Sequence, residues 1–115
     1  MKEDARSESV EVSSEAIAAL AAQAAGEVEG ATVVQNKSSG SLTSRVKREF
    51  VHKGIRVIRD DETCRIGVYL KVDYGINIPD LAGEVRKRVK EYVEGLTEIK
   101  VEDVEITIED VEPPS

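Results

Sequence analysis

His52 and Cys64 are the two side chains whose chemistry could make a base, a nucleophile or a metal ligand. They are the single histidine and the single cysteine among 115 residues. A zinc site needs further histidine or cysteine ligands, and an activated thiol needs a base held beside it. We therefore predict a solvated or packing role for both side chains and no catalytic centre.

An acidic cluster formed by Asp60, Asp61 and Glu62 could attract a cation. A calcium loop, however, needs more oxygen ligands at fixed spacing and a glycine at its sharp turn, and this cluster has neither. The sequence also lacks the Walker, Rossmann and HExxH patterns. We predict a solvated turn at 60–62, no metal or organic cofactor, and a protein that is not an enzyme.

A basic segment, 37–53, differs in charge from the rest of a chain whose net charge is −7. Its candidate contact residues are Arg45, Lys47, Arg48 and Lys53. Such a segment suits phosphate, an anionic membrane surface or an acidic partner, including the acidic C-terminal segment of a second copy. It could also be an exposed loop that balances an acidic protein. Nucleic-acid binding is the less favoured alternative because the net charge opposes it.

The composition fits one domain with an aliphatic core. The chain has one Phe, three Tyr and no Trp, so Ala, Val, Ile and Leu must supply the packing. No apolar run approaches the roughly 20 residues that span a bilayer, and the N-terminus lacks the apolar stretch of a secretory signal. One cysteine suits a reducing compartment. We predict a cytoplasmic protein without a membrane span, so that any membrane association comes through a partner.

Hydrophobic periodicity predicts seven elements in the order β-α-β-β-β-α-β. The strand at 64–74 is the clearest, because apolar and polar side chains alternate strictly along it. Pro79 suits the first position of the second helix, and Gly95 suits the left-handed position after it. A parity change near Glu102 and Asp103 predicts a bulge in the last strand. The predicted strands are 10–12, 31–36, 55–59, 64–74 and 99–111, and the predicted helices are 15–26 and 79–94.

These elements predict an α+β two-layer sandwich, with both helices on one face of a mixed or antiparallel sheet. The opposite sheet face, which carries Tyr69 and Lys71, should be polar, open and available for contacts with partners. We expect a flexible tail at 1–9, a single domain at 10–111 with a variable basic loop at 37–53, and a C-terminal tail at 112–115.

Five stretches, in the right order, resemble the alkaline shock protein family, which is linked to the cell-envelope stress response. The stretches are 10–17, 21–30, 53–57, 72–79 and 101–106, and their strongest parts are the turn from Glu27 to Gly30 and the entry to the second helix from Tyr74 to Pro79. Gly26 departs from the family pattern, since an alanine or a similar residue is usual there. The residues that carry the resemblance and that we expect to have structural roles are Glu27, Gly30, Gly54, Tyr74, Gly75, Ile78 and Pro79. Among them, Gly30 and Gly75 should take positive φ, and Tyr74 should anchor its turn.

The resemblance implies a cytoplasmic, non-catalytic protein linked to envelope stress and alkaline tolerance. Members of the family are held at the inner face of the membrane by a small integral partner or tune lipid-precursor synthesis, and some self-assemble. We therefore expect a homo-oligomeric scaffold or adaptor that acts through protein contacts. The alternative is a regulatory protein that binds a lipid-synthesis enzyme.

Overall fold

Two helices and five strands make up the part of the chain that the computed structural model describes, residues 11–35 and 49–113. The α+β class predicted from the sequence is confirmed. In chain order the elements are α1 (Ser14–Gly26), β1 (Ala31–Val33), β2 (Glu49–His52), β3 (Ile55–Asp60), β4 (Thr63–Asp73), α2 (Ile78–Thr97) and β5 (Lys100–Glu112).

All five strands belong to one mixed sheet with β4 at its centre. One side of β4 pairs in parallel with β5 along its whole length. The other side pairs antiparallel with β3 and then, further along, with β1. β2 continues the sheet beyond β3. β1, β2 and β5 therefore each pair with one strand only, and α2 is the crossover that a parallel β4–β5 pair requires.

Both helices pack on the same face of this sheet and share one apolar core. Alternation along β4 directs Ile66, Val68, Leu70 and Val72 into that core, as the sequence predicts. α1 contributes mainly alanines beside Ile17, which lets the helix approach the sheet closely. α2 contributes a stripe at helical spacing, which consists of Leu81, Val85, Val89 and Val93.

The strand predicted at 10–12 is wrong in its described part, because residues 11–13 form no strand. The carbonyl of Val12 accepts a hydrogen bond from Arg59 Nη1 at 2.8 Å. Ser13 then caps α1, since its Oγ accepts the N–H of Ala16 at 3.0 Å. The backbone here is therefore held by a side chain and a helix cap. Val10 lies outside the described residues.

The basic loop predicted at 37–53 is wrong at its C-terminal end, where β2 forms a hairpin with β3. The two connecting residues, Lys53 and Gly54, have φ of +46° and +87°. Two positive φ values match the twist of a two-residue hairpin turn, which fixes the pairing of β2 with β3. Residues 36–48 lie outside the described part of the chain, and the predictions for Arg45, Lys47 and Arg48 stay predictions.

α2 is longer than predicted at both ends. It begins at Ile78 because Asn77 Oδ1 accepts the N–H of Asp80 at 3.0 Å, and Pro79 lies in the first turn. Gly95 remains helical, so its predicted left-handed role is wrong; Glu98 takes that conformation instead, with φ of +65°. The hydroxyl of Thr97 donates to the carbonyl of Val93 at 2.7 Å and accepts the N–H of Ile99 at 3.0 Å. These two hydrogen bonds hold the last turn of the helix.

The predicted bulge in the last strand is confirmed. Cys64 lies opposite Val101 and Arg65 opposite Asp103, so Glu102 is the inserted residue. A second irregularity, not predicted, places Lys71 opposite Asp110 while Leu70 lies opposite Ile108. The first bulge keeps the apolar residues on both sides of it on the core side, namely Val101, Val104, Ile106 and Ile108, whereas Val111, beyond the second irregularity, is 41% exposed.

Candidate functional site

The potentially reactive side chains lie in separate environments. Cys64 is 1% exposed and packs in the core, where burial raises the pKa of its thiol. His52 is exposed on β2, with its ring 6.1 Å from the ring of Phe50. The packing role predicted for Cys64 is confirmed. Within residues 11–35 and 49–113, no group of three or more His, Cys, Asp or Glu side chains is placed to hold a metal ion.

The acidic cluster at 60–62 is the hairpin turn between β3 and β4, as predicted. Asp61 has a φ of +42°, and the hydroxyl of Thr63 donates to the carbonyl of Asp60 at 3.0 Å. Glu62 uses its backbone carbonyl to accept the N–H of Lys100 at 3.1 Å. The cluster therefore joins β3 to β4 and tethers the start of β5.

Three of the glycines that carry the family resemblance take the left-handed conformation. Gly30 has φ of +93° and Gly75 has φ of +91°, which confirms the prediction for both. A side chain on Gly30 would also contact Ile76 at 3.0 Å. Gly54 is more tightly constrained, because a Cβ there would lie 2.3 Å from the carbonyl oxygen of Val34. These residues shape the backbone rather than a binding surface.

The other residues of the resemblance also lie at element ends. Glu27 follows α1, and its N–H bonds to the carbonyls of Ala24 and Ala25. Ile78 and Pro79 begin α2. Tyr74 is 67% exposed, so the prediction that its ring anchors the turn is wrong. Its backbone N–H makes the attachment, by donating to the carbonyl of Glu112 at 3.1 Å.

The sheet face opposite the helices is polar, as predicted, but it is not open at its two candidate contact residues, which are already engaged. Tyr69 is only 9% exposed, because the guanidinium of Arg56 lies over its ring at 5.8 Å from the centroid. Arg56 in turn pairs with Glu49 at 2.6 Å. Lys71 is paired with Glu112, and the hydrogen bond that its ammonium donates to that carboxylate raises the pKa of the lysine. The predicted role of Tyr69 in contacts is therefore not supported by its burial.

A shallow groove of about 810 Å³ runs between the outer surfaces of α1 and α2. Arg88 crosses it and pairs with Glu84 at 3.3 Å, the helical pair expected from their spacing, and with Glu27 at 4.0 Å. Gly83 and Ala24 leave the groove open, and charged side chains line it. It is a solvated surface feature rather than an enclosed site.

The outer edge of β5 is a feature that sequence reasoning missed. Three side chains of α2 reach over the core and bond to the backbone of this strand. Lys90 donates to the carbonyl of Val101 at 2.9 Å, and the N–H of Val101 donates to Glu94 at 2.9 Å. Arg86 donates to the carbonyl of Val104 at 3.1 Å. The spacing 86, 90 and 94 is one turn per step, which was the available signal in the sequence.

The charge of Glu94 is stabilised by this arrangement. The N–H of Val101 and, next, the ammonium of Lys90 hold the pKa of its carboxyl below the ordinary range. In the first third of β5, side chains of α2 thus occupy the backbone groups at the outer edge. Further along, β5 carries a dense row of carboxylates, which are Glu102, Asp103, Glu105, Glu109, Asp110 and Glu112.

The fold and these surfaces define a small α+β protein with an apolar interior and a charged sheet face. In the described residues, no helix is both long enough and apolar enough to cross a bilayer. The chain belongs to the alkaline shock protein 23 family, described as having a cell envelope-related function, and the family model matches residues 2–113. The resemblance found in the sequence is confirmed.

Two relatives come from Bacillus subtilis (strain 168). The uncharacterized protein YqhY is 27% identical over 106 residues, which cover 92% of this chain and 78% of the relative. The uncharacterized protein YloU is 29% identical over 104 residues, which cover 89% of this chain and 87% of the relative. Among solved structures, the zinc form of a MamM CTD variant is similar at a TM-score of 0.47 and 19% identity, over 84% of each chain.

Proposed function

We propose that this protein is a non-catalytic adaptor of the cell envelope that acts by binding other proteins. Membership of a family with a cell envelope-related function supports the setting. The proposal includes a cytoplasmic location at the inner face of the membrane, a small integral membrane protein as the anchor, and association between copies of the chain. It also includes service in envelope stress.

The observation that carries the proposal is the distribution of polar groups. The residues that are buried as a whole in the described part of the chain are hydrophobic, so most charged groups lie at the surface; the exception among the ion pairs is Glu49, whose side chain is 4% exposed beneath Arg56. Some of these are held in place by ion pairs, as Arg56 is by Glu49 and Lys71 by Glu112. Fixed surface charges favour recognition of a complementary protein surface. The one thiol is withdrawn from solvent in the core, where burial suppresses its nucleophilic form.

A protein anchor is favoured over direct lipid binding by the net charge of −7. The cytoplasmic leaflet carries anionic lipids, which repel an acidic protein. A partner that spans the bilayer would supply the attachment that this surface chemistry opposes.

Affinity capture of the native chain from its host, after gentle solubilisation of the membranes, tests the proposal. We expect an integral membrane protein to co-purify and to be absent from a capture with an unrelated acidic protein of similar size. Sedimentation at several concentrations should show copies associating. Recovery of no partner together with a monomer at all concentrations would contradict the proposal.

Capture of a lipid-synthesis enzyme in place of a membrane protein would favour the regulatory alternative. Lipid profiling of a deletion strain then separates the two functions, because an anchor-bound adaptor should leave the lipid composition unchanged. A change in lipid precursors that the native chain reverses would replace the adaptor proposal.

A further inference from the structure

We propose that the outer edge of β5 binds an extended, lysine- and arginine-rich segment of a partner protein, which adds to the sheet as a further strand. The proposal deepens the adaptor function and rests on it for the source of the segment. It is carried by the backbone groups that β5 leaves open and by the charges that surround them.

The orientation of the β5 backbone follows from bonds at its two ends. Both backbone groups of Val101 and the carbonyl of Val104 bond to side chains of α2, so they point away from β4. The carbonyl of Glu112 accepts the N–H of Tyr74, which follows β4, so it points toward β4. Successive residues of a strand direct their N–H and C=O groups alternately to either side, and each of the two bulges of β5, at Glu102 and between Ile108 and Asp110, shifts this alternation by one residue. Ile106 and Ile108 therefore direct theirs outward.

The open part of the edge is centred on Thr107. α2 side chains reach Val101 and Val104, and Asp110 Oδ1 accepts the N–H of Val111 at 2.9 Å. The bonds that side chains of the described residues make to the β5 backbone engage Val101, Val104 and Val111, and leave the outward groups of Ile106 and Ile108 unused. Ile106 and Ile108 thus offer two N–H donors and two C=O acceptors, two residues apart. An added strand pairs with backbone groups at this spacing.

The charge of the strand determines which segment suits this edge. From Lys100 to Glu112 there are six acidic residues and one lysine, a net charge of −5. Ion pairs engage Glu102 with Arg65 and Glu112 with Lys71. Asp103 and Glu105 are exposed beside the open stretch. An approaching strand with basic side chains would lower the repulsion within this row.

The β5 strand of a second copy is a poor occupant of the same edge. Antiparallel pairing centred on Thr107 would place Glu105 of each copy opposite Glu109 of the other. Like charges directly opposite on paired strands destabilise the pair. The acidic row therefore prevents self-pairing at this edge, in the way that charged side chains protect exposed strands from aggregation.

A basic segment is also the chemistry that the proposed anchor has to offer. Cytoplasmic stretches close to a membrane-spanning helix carry an excess of Lys and Arg. Pairing of such a stretch with β5 would hold the adaptor close to the bilayer.

The test measures amide hydrogen exchange by NMR on the full chain at low ionic strength. The probe is a synthetic nine-residue peptide that alternates Lys with Thr. We expect it to slow exchange at the amides of Ile106 and Ile108 roughly ten-fold or more. The same peptide with every backbone nitrogen methylated, and a peptide with Glu in place of Lys, should leave both amides unchanged.

Paired charge variants locate the binding site. The double change Asp103→Lys with Glu105→Lys should weaken peptide binding roughly ten-fold or more. The control, Glu15→Lys with Glu91→Lys, changes the net charge equally on the helices and should weaken binding less than about two-fold. Circular dichroism verifies that both variants remain folded.

Each of three results would overturn the edge proposal. They are an equal loss of peptide affinity in the two double variants, binding of the methylated peptide as tight as that of the unmethylated one, and no binding of the basic peptide. The adaptor function is tested separately, because it fails if affinity capture recovers no partner and sedimentation shows only a monomer, or if the native chain reverses a change in lipid precursors. An anchor captured equally well by the edge variant and the native chain would keep the adaptor function and move the contact to another surface.

Discussion

Two constraints at Gly54 make any other residue there costly. Its φ is +87°, and a Cβ would lie 2.3 Å from the carbonyl oxygen of Val34, which is backbone and cannot move aside. We expect Gly54→Ala to lower the free energy of unfolding by about 2–4 kcal/mol. Urea denaturation followed by circular dichroism measures the change.

Gly83→Ala is the matched control, since a Cβ on that glycine of α2 has no neighbour within 4 Å. Alanine favours the helix, so this variant should be more stable than the native chain by about 0.5–1 kcal/mol. If the two alanine variants shifted stability equally, the close approach of Gly54 to Val34 would be incorrect.

Burial of Cys64 predicts a pH effect on stability. Desolvation raises the pKa of its thiol in the folded state, with further raising by Glu94 and Glu102 and partial opposition from Arg59. Above the ordinary thiol pKa, the unfolded chain loses the proton while the folded chain keeps it. Stability from this group is therefore complete at neutral pH and is lost as pH rises through the raised folded pKa, by up to about 1.4 kcal/mol per pH unit.

Cys64→Ala tests this effect. The variant should be less stable at neutral pH, because a core side chain is shortened, but its stability should fall less steeply in the alkaline range. Urea denaturation at a series of pH values measures both slopes. Parallel slopes for the two proteins would show that the thiol does not titrate differently on folding.

Several residue roles could be predicted from the sequence, and the exceptions have a physical reason. Gly30 and Gly75 were predictable because turns after a helix or strand favour positive φ. The position of the Tyr74 ring was not, because an aromatic residue in a turn packs only if neighbouring elements reach it. The burial of Tyr69 likewise depends on Arg56, which comes from the adjacent strand β3.

The contact between α2 and β5 predicts a role for Glu94 in closing the strand edge. Its Oε2 accepts the N–H of Val101 and the ammonium of Lys90. Glu94→Gln keeps the size of the side chain but removes the charge, and it should lower stability at pH 7 by about 1 kcal/mol. The pKa of Glu94 is lowered on folding, so its stabilisation is present above the ordinary carboxyl pKa and is lost as pH falls through the folded pKa.

Glu91→Gln serves as the control for Glu94→Gln, since Glu91 is exposed on the same helix. The free energy of unfolding of the Glu91→Gln variant should stay within about 0.5 kcal/mol of the native value. Thermal unfolding at pH 7 and in mild acid measures both variants. The difference between them should shrink in acid, and a difference that is constant with pH would contradict the assigned hydrogen bonds.

The elements were predictable where the hydrophobic period is long and unbroken, as in β4 and α2. The bulge at Glu102 was also predictable, because a parity change along one strand has few other solutions. β2 was not, since its four residues follow a polar, basic stretch and pair only through the turn at Lys53 and Gly54. Short strands depend on their partners more than on their own sequence.

In the molecule as a whole, the sheet separates two chemically different regions. One sheet face is covered by both helices and is apolar, while the other face and the β5 edge carry ion pairs and carboxylates. The alternation in β4 was enough to predict the two faces. The identity of the edge strands was not predictable, because strand order depends on packing between elements that are distant in the sequence.

The acidic outer surface predicts that the protein reaches a membrane through a protein partner. Flotation of the purified chain through a density gradient tests this prediction. With protein-free vesicles containing anionic lipids, the chain should stay at the bottom, because its net charge of −7 is repelled. With native membranes whose inner face is exposed, it should float, and protease treatment of those membranes beforehand should abolish flotation. Flotation with protein-free vesicles would contradict attachment through a protein partner.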